Sequence, residues 1–67
     1  VSAPLAERFR AAYDWIDSAG EWDEALADPD TYAAAAACNA EQHDVTDVTE
    51  AALVGAIEWY REHRAQS

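Results

Sequence analysis

DVTEAALVGAIEWYREHR, residues 47–64, contains no Pro and a single Gly, and it spaces its apolar residues for a helix. Asp47 with Glu50 three residues later fits a capping box with Asp in place of Ser or Thr, and Thr46 is the other cap candidate, so the reading predicts a helix from about Val48 to about Arg64. Arg61, His63 and Arg64 then lie near its C-terminus, where the helix dipole favours positive charge. The apolar residues form two stripes, Leu53, Ile57 and Tyr60 on one and Val48, Ala52, Gly55 and Trp59 on the other, separated by roughly 120–160° around the axis. One neighbouring helix cannot cover both. Either this helix is central and packed on two sides, or its second stripe is offered to another molecule. Gly55 sharpens the choice, because a glycine inside a helix costs about 1 kcal/mol relative to Ala. Something is expected to approach the backbone there, and the Ala-rich segment upstream is the expected intramolecular neighbour.

That segment opens with the clearest start signal in the chain. Asp28 is placed to cap, Pro29 to take the first helical position and Asp30 to sit favourably against the dipole. Tyr32 and the run Ala33–Ala37, then Cys38, Asn39 and Ala40, give high helix propensity with little bulk, fading near Glu41–His43. Before it, residues 21–27 make barely two turns, anchored by Trp22 and Leu26. At the amino end, Ser2 and Pro4 read as a start and Gly20 as a stop. Between them Leu5, Phe9, Ala12, Ile16 and Ala19 form one stripe, flanked by Tyr13 and Trp15, while Glu7, Arg10, Asp14 and Asp17 take the opposite side. The expected fold class is all-α, a small three- to four-helix bundle with a short second helix, forming one domain over residues 1–67.

Sixty-seven residues are too few for separate cofactor and substrate domains. Hydrophobic residues make up 51% of the chain, but Ala supplies half of those. Three Trp, three Tyr and one Phe must therefore give the core its bulk, each burying roughly 150–250 Å². Cys38 is the sole cysteine and forms no internal bridge, which leaves metal or a partner as reinforcement for a thin core. The formal charge is −10, Lys is absent, and the four basic residues Arg8, Arg10, Arg61 and Arg64 sit at the two ends. Phosphate backbones and anionic lipid repel such a chain, so neither direct nucleic-acid binding nor membrane binding is expected. No secretory pattern and no 18-residue apolar run occurs, which makes a cytoplasmic location the expectation.

No catalytic constellation stands out. Cys38 and His43, five residues apart, point about 140° from one another on a helix, and Cys38 reads as a buried or half-buried structural thiol. His43, Asp44 and Asp47, and likewise Glu58, Glu62 and His63, lack the paired His or repeated Cys of a zinc site and read as solvated surface. No metal, no cofactor and no enzymatic activity are expected. The leading reading is a non-catalytic acidic protein-interaction module. It would bind another protein with a basic or apolar surface, or a second copy of itself, through Val48, Ala52, Gly55 and Trp59, with Trp22 as a secondary anchor. Rows of carboxylates such as Glu7, Asp14 and Asp17 support an alternative, an inhibitor that imitates nucleic acid in a basic site. The helix–Gly20–short helix opening resembles helix-turn-helix regulators, and that resemblance implies DNA binding as a further alternative.

Overall fold

The computed structural model describes Leu5 and residues 7–64. They form four helices, α1 (Glu7–Ala19), α2 (Trp22–Ala27), α3 (Pro29–Gln42) and α4 (Glu50–Arg64), with no strand among the described residues. None of these helices is long and apolar enough to cross a membrane. The expected α1 start at Ser2 and Pro4 lies outside the described residues.

Local chemistry accounts for most of the boundaries. Gly20, at φ +68°, ends α1, its N–H donating to the Asp17 carbonyl (3.2 Å) while the Glu21 N–H reaches back to the Ile16 carbonyl (3.3 Å). This is the paired closure that a left-handed residue permits after a helix. The Asp28 carboxylate caps α3 by accepting from the Thr31 N–H at 3.4 Å, with Pro29 in the first turn. The end of α3 repeats the α1 closure. Asp44 takes the left-handed position at φ 61°, its N–H donates to the Glu41 carbonyl (3.1 Å), and the Val45 N–H donates to the Ala40 carbonyl (2.9 Å).

The start of α4 differs from the sequence expectation. Neither Asp47 nor Thr46 caps it; the Thr49 hydroxyl accepts from the Ala52 N–H at 3.1 Å, and the helix begins at Glu50. The reason lies in Val48, which is 4% exposed and belongs to the same core cluster as Leu53. An apolar residue just before the cap paired with one four positions into the helix is a hydrophobic staple, and it sets the register of the cap.

Packed against both α1 and α3, α4 is the central helix. Its buried residues are Ala52, Leu53, Ala56 and Ile57, so the two stripes are both occupied. On α3 the buried positions are Ala33, Ala36 and Ala40; small side chains at this spacing let the helices approach closely. That inner stripe leaves Cys38 on the opposite side, exposed rather than buried. On α1, Ala12 and Ile16 are buried, whereas Ala19 is exposed beside Gly20. The only large side chains fully buried among the described residues are Ile16, Leu53 and Ile57. Aromatic side chains do not fill this core; they surround it, partly exposed.

Candidate interaction surface

Two residue pairs fix how α1 crosses α4. Phe9 and Tyr13, four apart on α1, meet Gly55 and Trp59, four apart on α4: the Phe9 ring fills the space a Gly55 side chain would need, and Tyr13 meets Trp59 edge to face at 5.7 Å between centroids. Rows of residues four apart on each helix interdigitate in this way. The close neighbour of Gly55 is thus Phe9 of α1, not the Ala-rich α3.

From Tyr13 an aromatic cluster spreads over α2 and the end of α4. Trp22 stacks on Tyr60 with centroids 3.9 Å apart and planes 5° from parallel, and Tyr13 lies 5.0 Å from Trp22 and 6.2 Å from Tyr60. The Trp22 indole N–H donates to the Asp17 carboxylate at 3.2 Å. Trp59 stacks on His63 at 4.1 Å, and the His63 Nδ1 lies 2.8 Å from the Trp59 carbonyl oxygen. The Trp59 indole N–H is buried without a hydrogen-bond partner among the described residues, a costly arrangement in a folded chain. Burial, followed by the nearby Asp17 carboxylate, Tyr60 and Asp14, pushes the Tyr13 hydroxyl above its usual ionisation range, against a smaller opposite effect of Arg10. Behind α2, the Tyr32 hydroxyl donates to Glu21 Oε1 at 2.8 Å; burial, then this hydrogen bond, pushes its ionisation up strongly.

On the other side of Phe9 lies a shallow apolar groove along the outer flank of α4. Phe9, Ala51, Val54 and Gly55 line it, and Glu50 and Glu58 stand at its ends. Arg8 lies over the Phe9 ring at 4.8 Å, and it lines a neighbouring depression rather than this groove.

The five residues singled out from sequence separate in the structure. Val48 and Ala52 are buried. Gly55, Trp59 and Trp22 are half-buried, the first beneath Phe9 and the other two within the aromatic cluster. Val54 and Phe9, which dominate the groove, carry no signal in isolation, although Phe9 and Tyr13 repeat the four-residue spacing of Gly55 and Trp59. Among the described residues no three His, Cys, Asp or Glu side chains gather as a metal site. Compared with protein-family models, with curated proteins and with solved structures, the chain finds no match.

Proposed function

We propose that this chain is a non-catalytic, acidic protein-interaction module whose partner protein meets the flank of α4 around Gly55 and Trp59, with Trp22 at its edge. The supporting observation is the placement of the bulk. In a chain with three large side chains fully buried among the described residues, Phe9, Val54, Trp59 and Trp22 stay half-buried on neighbouring surfaces. Aromatic residues with one face packed and one open are the usual anchors of protein interfaces. Val48 and Ala52 lie beneath this surface and act by holding α4 in place.

Affinity capture from the source cell with wild type and Val54→Asp in parallel tests the proposal. Circular dichroism first establishes that the variant keeps its helix content. A protein held by wild type and lost from the variant is the expected result; identical captures, or none, count against the reading.

A further inference from the structure

We infer that the groove between Phe9 and Val54 receives a cationic amphipathic helix of a partner protein, one with an apolar residue flanked by Lys or Arg about four positions to either side. This rests on the interaction-module reading and names the partner's chemistry. Phe9, Ala51 and Val54 give the groove its apolar lining, with the Phe9 ring seated over Gly55. Its ends are not apolar. Glu50, Val54 and Glu58 are successive members of one four-residue row on α4, so a carboxylate stands one turn before and one turn after the Val54 side chain. The two carboxylates are separated by eight residues, about 12 Å along the axis. A helix lying along α4 matches this spacing with cations eight apart and an apolar residue midway.

The same charges argue against the other occupants. A second copy brings a further net charge of −10, and no two of its four cations, Arg8, Arg10, Arg61 and Arg64, stand eight residues apart as the spacing requires. Anionic lipid and nucleic acid are repelled by the same net charge. A cationic segment is attracted at long range by the whole molecule and gains contact at the groove, where Glu50 and Glu58 set its register.

The test uses the full chain and three synthetic helical peptides of equal length, with Leu at the central position. The first has Lys four residues to either side of Leu; the second has Glu there; the third scrambles the first at constant charge. Fluorescence anisotropy on labelled peptide gives affinities, and sedimentation gives the state of the protein. The Lys peptide is expected to bind at least tenfold more tightly than the scrambled one and at least tenfold more weakly to Val54→Asp. In Glu50→Lys/Glu58→Lys, whose changes are on exposed positions, preference should pass to the Glu peptide. Equal binding of Lys and scrambled peptides overturns the inference, because attraction is then unspecific. A dimer that Val54→Asp dissolves overturns it in favour of a second copy. A captured partner that depends on Val54 yet binds through a segment without flanking cations overturns the inference while leaving the interaction module standing; absence of any Val54-dependent partner removes both.

Discussion

A Cβ placed on Gly55 would stand 2.6 Å from Cε1 and Cζ of Phe9. No real side chain accepts that distance, so an alanine at position 55 requires the Phe9 ring to move. Two effects then oppose each other in Gly55→Ala: a gain of about 1 kcal/mol in helix propensity and loss of the ring's seat on α4. A double-mutant cycle separates them. In the Phe9→Ala background, Gly55→Ala is expected to stabilise the chain by about 1 kcal/mol; with Phe9 present, urea unfolding should show most of that gain missing. Equal effects in both backgrounds would mean that the ring does not sit there.

The two left-handed helix ends predict opposite responses. Asp44 holds φ 61° with a side chain that this region disfavours, so Asp44→Gly should raise stability by about 0.5–1 kcal/mol. Gly20 holds φ +68° with open space around it, and Gly20→Ala should lower stability by about 1 kcal/mol through backbone strain alone. Thermal melts of the two variants check the signs.

Capping of α4 distinguishes residues that look equivalent in sequence. Thr49→Ala removes the acceptor of the Ala52 N–H and should cost about 1 kcal/mol. Asp47→Ala and Thr46→Ala touch no observed cap and should stay within about 0.5 kcal/mol of wild type.

Two tyrosines couple the stability of the fold to alkaline pH. Tyr32 and Tyr13 have ionisation raised above the ordinary value of 10.0, so the folded chain keeps protons that the unfolded chain loses. Their stabilising contribution is complete below pH 10 and declines as pH rises through that value, because the unfolded state then binds fewer protons. Tyr32→Phe, which removes the hydroxyl that donates to Glu21, should make the decline shallower above pH 10 and cost about 1 kcal/mol at neutral pH. Unfolding curves at neutral pH and across the alkaline range measure both.

Cys38 is exposed on the outer side of α3. A thiol reagent should label it in the native chain at nearly the rate found in denaturant, as expected of an accessible thiol. Strong protection in the native state would place it inside.

Much of this architecture is legible in the sequence where one residue type has one physical role. Asp28 followed by Pro29 specifies a helix start, Gly20 specifies a left-handed stop, and the two apolar stripes of α4 exceed what one neighbouring helix can cover. The sequence is ambiguous where several residues fit one role: Thr46, Asp47 and Thr49 are all competent caps, and only burial of Val48 selects the last. Along α3 a nearly unbroken Ala run has no contrast between faces, so nothing local told which way Cys38 points. The meeting of Gly55 with Phe9 is tertiary. A glycine announces that something comes close without saying what, and Val54, an ordinary aliphatic residue in an apolar run, becomes a groove wall only once α1 is in place.

The most direct test of the α4 flank as an interaction surface is a nitrogen-15 NMR titration of the full chain with the Lys peptide. The amides of Ala51, Val54, Gly55 and Glu58 should shift in a saturable manner while those of Ala34, Ala35 and Cys38 on the far side of α3 stay in place. Shifts centred on α3, or spread evenly over the acidic surface, would contradict it.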